Sequence, residues 1–177
     1  MRQNKGSRYL CREIARVLFL LALTFGLVGC KDPFEGQSHL SDDQLIANFR
    51  EHTADFERLR EMVVDDKRLT RVDEDWTAPA DPTTIGVTAE RIAEYRALFK
   101  KLGLARGFSA GLDRREIELW ASAQGWVAHG SHKGYVYTAS VPESLDTDLD
   151  KYSSRERPLG SGYRRIEGNW YLYFYGD

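Results

Sequence analysis

Gly107, Ser109 and Gly111 set out the G-x-S-x-G spacing that, in some hydrolases, lifts a nucleophilic serine on a strained strand-to-helix turn. Asp113 and His129 follow in the order that a Ser–Asp–His relay needs. The flanks argue against that chemistry. A helix is read to end at Gly103, which leaves little room for an entering strand, and the residues after Gly111 alternate as a strand does. The expected structure is a glycine-rich turn. Glu116 and Glu118 stand two apart on that same predicted strand, so they share a face, and paired carboxylates run acid–base chemistry on sugars. Charges alternating with Ile117, Leu119 and Ala121 are equally what a half-solvated strand contains. His129 and His132 have a spacing that suits a metal on a helix but sends strand residues to opposite sides, so they read as surface histidines. His52 falls on the apolar stripe of a predicted helix and reads as a histidine at the edge of the core. No metal and no cofactor is expected.

Aromatic residues crowd the last third of the chain. In 170–175 they alternate, with Trp170, Leu172 and Phe174 on one side and Tyr171, Tyr173 and Tyr175 on the other. Rigid amphipathic rings suit partners and glycans. Tyr171, Tyr173 and Tyr175, with Arg164 and Arg165 on the preceding strand, therefore form the candidate ligand or partner face, although tyrosine is also simply a good strand former.

The elements that must position these groups are read from periodicity and punctuation. Ser41 and Gln44 make a capping box for a helix running to about residue 65. Leu45, Phe49, His52, Phe56, Leu59 and Val63 form one continuous stripe along it. Pro79 and Pro82 mark 73–87 as irregular, with Trp76 and Ile85 expected to pin that loop to the core. Thr88 caps a second helix carrying Ile92, Tyr95, Phe99 and Leu102, and Gly103 stops it. Strands are expected at 115–121, 126–129, 134–138, 163–166 and 170–175, with turns at Gln124-Gly125, at 130–133 and at Glu167-Gly168-Asn169. The segment 139–162 is long for a loop, and Val141, Leu145, Leu149 and Tyr152 are spaced to dock a short helical piece. The expected class is α+β: two amphipathic N-terminal helices packed on an antiparallel sheet of about four strands.

The first thirty residues carry a different message. Arg2, Lys5, Arg8, Arg12 and Arg16 form a basic head, and an apolar run over 17–28 leads to Gly29 and Cys30. That run is too short for a spanning helix, which needs roughly 20 apolar residues, and it has the layout of a secretory signal. Leu27-Val28-Gly29-Cys30 resembles the lipobox of bacterial lipoproteins. The resemblance implies cleavage between Gly29 and Cys30 and lipidation of Cys30 by a diacylglyceryl thioether and an N-acyl chain. The resulting organisation is a signal peptide at 1–29, a lipidated cysteine and tether at 30–40, and a single domain at 41–177. Ten extended residues reach at most about 33–36 Å. Lys31, where an aspartate resembles an inner-membrane retention signal, favours the outer membrane with the domain facing the periplasm.

Processing also changes the charge. The whole chain has net charge −2, and removing five basic residues and one acidic residue with 1–29 leaves −6. An acidic domain lacks the electrostatic footprint of a nucleic-acid binder. Cys11 leaves with the signal and Cys30 is taken by lipid, so no disulfide is expected. The helix opening at 41–50, Trp76, the stretch 130–137 and the ending from Ile166 to Tyr173 resemble a group of small proteobacterial lipoproteins. That resemblance brings no catalytic residue with it. The leading expectation is a membrane-anchored, non-enzymatic interaction or structural module of the cell envelope. The alternative is a binder of cell-wall glycan or another envelope ligand through the tyrosine face, and a wall hydrolase comes third.

Overall fold

Ser41 opens the first helix as a reciprocal cap: its hydroxyl accepts from the Gln44 amide at 3.2 Å, and the Gln44 side chain accepts from the Ser41 amide at 2.9 Å. The computed structural model describes residues 39–126, 129–153 and 160–177, without the side chains of Trp126 and His129. Cys30, the signal and most of the tether lie outside the described residues.

The expected single helix is two, α1 (Asp42–Glu51) and α2 (Thr53–Asp65). The break falls at His52, whose backbone leaves the helical region at φ −120° and ψ 24°. Thr53 supplies a physical cause, since its hydroxyl donates back to the Phe49 carbonyl at 2.9 Å, a contact that bends helices. The stripe survives the bend, with Leu45, Phe49, Phe56, Leu59 and Val63 all buried. His52 stays half-buried beside Asp55, 3.7 Å away. Helix α3 (Ala89–Leu102) starts at the Thr88 hydroxyl, which accepts from the Arg91 amide, and ends at Gly103 with φ 66°. A fourth, single-turn helix α4 spans Asp150–Ser153.

The sheet is larger than expected. Seven strands, β1 (Arg71–Val72), β2 (Thr77–Ala78), β3 (Phe108–Ala110), β4 (Glu116–Trp126), β5 (His129–Thr138), β6 (Gly160–Glu167) and β7 (Trp170–Gly176), pair antiparallel in the order β2-β1-β3-β4-β5-β7-β6. Among the described residues, four α-helices, one 3-10 turn at Pro82–Ile85 and seven strands thus replace the expected two helices on about four strands. The additional strands β1 to β3 are two or three residues long, too short to show a period of two. β2 arises within the stretch 73–87 read as irregular, β1 just before it, and β3 from the glycine-rich turn. Gly107 makes the join possible: it sits at φ 61°, and a Cβ there would lie 2.0 Å from the Val72 carbonyl oxygen.

Two expected turns are also corrected. Residues 130–133 do not turn but continue β5, and Gln124-Gly125 is not the hairpin bend, because Gly125 pairs with Gly130 and Trp126 with His129. A bulge between Trp120 and Ser122 shifts the β4–β5 register. Opposite it, a Cβ on Gly134 would meet the Leu119 carbonyl oxygen at 2.0 Å, so the bulge requires glycine there. The β6–β7 hairpin turns through Gly168 as expected.

Helices α1 to α3 and one sheet face enclose the main core. Phe49, Phe56, Tyr135 and Trp170 meet there with ring centroids 4.6 to 6.3 Å apart. Truncating a fully buried phenylalanine such as Phe56 costs about 3–5 kcal/mol. Ile85 packs against this core, but Trp76 does not, being half exposed on the β1–β2 hairpin. The stretch 139–153 after β5 is folded. Its backbone at Ser144 and Asp146 bonds both sides of Tyr163 and so covers the β6 edge, and Leu149 and Tyr152 dock on the core. Val141 and Leu145 remain exposed.

Candidate functional site

Pairing carries Arg71 to Ser109, Ser109 to Glu118, Glu118 to Val136, Val136 to Tyr171 and Tyr171 to Arg165. Directly opposed residues point to the same side of a sheet. One row therefore crosses six strands on the face away from the helices. A second row runs Trp120, Gly134, Tyr173, Tyr163, and a third runs His132, Tyr175, Ser161. Ser109, Glu116, Glu118, His132, Tyr171, Tyr173, Tyr175 and Arg165, singled out from sequence for four separate reasons, share this face. Arg164 does not. Adjacent strand residues alternate, and its guanidinium reaches Asp42 on the helix side at 2.9 Å.

The face is not a row of exposed tyrosines. Tyr171 and Tyr173 are 1% and 4% exposed, and with Val136 they form a small second core walled by Trp120 and Tyr163. Every member of that cluster comes from a strand. Tyr175 alone of the three is exposed, at 45%. The rings that do meet solvent belong to a stack that sequence reading missed. Arg71 lies 5.6 Å from the Trp76 ring and 4.2 Å from the Trp120 ring. Trp120 stacks on His132 at 4.2 Å and 6°, and His132 meets Tyr175 at 5.2 Å. Trp76, 49% exposed, and Tyr175 are its two ends.

Electrostatics sharpen the picture. Arg71 is held by Asp73 at 3.1 Å and by the Arg106 carbonyl at 3.2 Å. Burial raises the Glu118 carboxyl above its ordinary pKa, Glu116 adds to this, and a hydrogen bond from Trp120 Nε1 at 3.0 Å partly opposes it. Burial lowers His132 to about 4, helped by Arg71. At neutral pH His132 is an uncharged stacking ring and a poor general base. Glu116 accepts from the Tyr163 hydroxyl. Burial pushes the Tyr173 phenol well above its usual pKa, Glu118, Tyr163 and Glu116 adding to this and Arg71 opposing it.

Ser109 sits mid-strand, opposite Glu118, and β3 runs through a tight turn into β4. The strand-to-helix geometry that a nucleophile elbow needs is therefore missing around this serine, and Gly107 is explained by backbone contact. The two glutamates lie side by side on one strand, each already bonded to a neighbouring ring.

The helix side holds a second charged constellation. Lys133 is fully buried, 2.7 Å from Asp42 and 2.5 Å from Asp150. Asp42, also buried, accepts from the Leu149 amide at 2.8 Å and from Arg164 at 2.9 Å. Burial alone would raise the Asp42 pKa, but its bonds from Lys133, Leu149 and Arg164 outweigh this and hold it low. Carboxylates of Asp42, Asp148 and Asp150 approach within 4.8 Å, a grouping that resembles a cation site, but the Lys133 ammonium already supplies the positive charge. His39 adjoins this knot, its ring nitrogens 2.7 Å from Ser122 Oγ and 2.8 Å from Ser131 Oγ. Burial, then Lys133, lowers it to about 4. Lys133 was readable once 129–138 is taken as one strand, since it shares a face with Tyr135 and Tyr137.

No protein family, no characterised protein and no solved structure significantly matches the chain.

Proposed function

We propose that the chain is a lipoprotein of the bacterial envelope, held to the bilayer by acyl chains on Cys30. Its domain is a non-enzymatic binding module that meets its partner or ligand with the helix-free sheet face. The anchor rests on the lipobox resemblance. Each buried CH₂ contributes about 0.8 kcal/mol, so three chains give lasting attachment where one is marginal. Among the described residues no helix is long and apolar enough to cross a membrane.

The observation that carries the face assignment is the stack from Trp76 through Arg71, Trp120 and His132 to Tyr175. It spends aromatic and cationic side chains outside the main core and leaves both ends in solvent. Aromatic residues and arginine are the side chains that dominate binding surfaces. A photoreactive residue placed at Tyr175 in intact cells tests it, with Lys100 on exposed α3 surface as the control position. One specific adduct from Tyr175 and none from Lys100 is expected. Adducts from Lys100 alone would move the interface to the helix side.

A further inference from the structure

We infer that this sheet face contains a site for a neutral, hydroxyl- and carbonyl-bearing ligand of the sugar class, centred on Arg71 Nε and Tyr173 Oη. The inference deepens the proposed function and rests on its assignment of the recognition face.

Both atoms are buried, and neither has a hydrogen-bond partner among the described residues. A buried polar atom without a partner costs about 1–3 kcal/mol and is uncommon in a folded chain. Here two such atoms belong to side chains on one ring pair: Arg71 lies 4.2 Å over Trp120, and His132, stacked on Trp120 at 4.2 Å, meets the Tyr173 ring edge-on at 5.4 Å. The other orphaned positions differ. Asp42 Oδ1 has the Lys133 ammonium at 2.7 Å, and Arg114, bound to the Asp66, Leu69 and Gly111 carbonyls, lies outside the Trp120–His132 stack that Arg71 and Tyr173 both touch.

The chemistry around the pair narrows the occupant. Arg71 Nε–H is a donor and Tyr173 Oη–H can donate, so an acceptor oxygen is wanted. An anion is disfavoured, because Asp73 already neutralises Arg71 and Glu116 and Glu118 stand close by. The Glu118 carboxyl, biased toward its protonated form by burial, exchanges hydrogen bonds with hydroxyl groups in either state. An uncharged molecule with several hydroxyl or amide oxygens meets all three demands. Trp120 and Tyr163, both only partly buried, pack over the Tyr173 cluster, so the ligand must displace one of these rings to reach the pair.

The test uses full-length lipidated protein in detergent micelles, titrated with N-acetylglucosamine tetrasaccharide and read by tryptophan fluorescence, since Trp76 and Trp120 flank the site. Wild type is expected to give a saturable change. Tyr173→Phe should weaken binding about tenfold, the worth of one well-placed hydrogen bond, while its melting temperature holds or rises because an orphaned hydroxyl is gone. Arg71→Lys keeps the charge, loses Nε–H and should weaken binding similarly. A flat wild-type titration, or equal binding by Tyr173→Phe, overturns the ligand class and leaves a bridging water as the pair's occupant. A specific Tyr175 adduct in the same cells would then show that the face assignment stands without it.

Discussion

Lys133 and Asp42 face each other at 2.7 Å in the interior, the lysine 0% and the aspartate 1% exposed. Two charges taken out of water are costly, and their attraction repays this only when further bonds saturate them. Here Asp150, Arg164 and the Leu149 amide do so.

Removing one partner strands the others. Lys133→Met, which nearly preserves side-chain volume, is expected to lose about 3–5 kcal/mol of stability. Urea unfolding of the variant checks this, and a midpoint equal to wild type would mean that the knot contributes nothing.

Acid should loosen the domain in a defined window. His39 and His132 both titrate at about 4 in the fold against 6.5 ordinarily. The unfolded chain takes up these protons as pH falls through 6.5, whereas the folded chain resists until about 4. Their contribution is therefore intact above 6.5, declines between 6.5 and 4, and is gone below. Melting temperatures measured across that range should fall more steeply for wild type than for His39→Gln.

Backbone contact makes Gly134 irreplaceable. A methyl group at this position collides with the carbonyl of Leu119, which is fixed in the β4–β5 ladder beside the bulge and cannot rotate away. Gly134→Ala is expected to cost about 1–3 kcal/mol. Circular-dichroism melts give the comparison, best set beside an exposed alanine substitution such as Ser161→Ala, which should stay near wild type.

The anchor has its own variant. Cys30→Ser should leave the leader uncut and remove acyl mass from the N-terminus. Mass spectrometry of the purified protein reads both, and an unmodified Cys30 thiol in wild type would remove the membrane attachment from the proposal.

What could be read in advance followed the strength of local signals. The Ser41–Gln44 cap, the Thr88 start, the Gly103 stop and the Gly168 hairpin are set by neighbours in sequence, and each lies where its residues indicate. The helix break at His52 depends on one threonine hydroxyl, which periodicity does not register. Strands β1 to β3 owe their existence to long-range pairing, not to their own two or three residues. The candidate face divides the same way. Alternation placed Tyr171, Tyr173 and Tyr175 on one side, but burial of the first two comes from Trp120, Val136 and Tyr163 on other strands. The role of Arg71 was hidden because a cation sandwiched by rings distant in sequence leaves no local pattern.

The clasp at the start of the domain also has a mechanical meaning. Tension arriving along the chain at His39 first meets Ser122 and Ser131 on the two central strands, and next meets the Asp42 junction with β5 and β6. A tug from that end is shared by several strands at once, so α1 is shielded from being peeled off turn by turn.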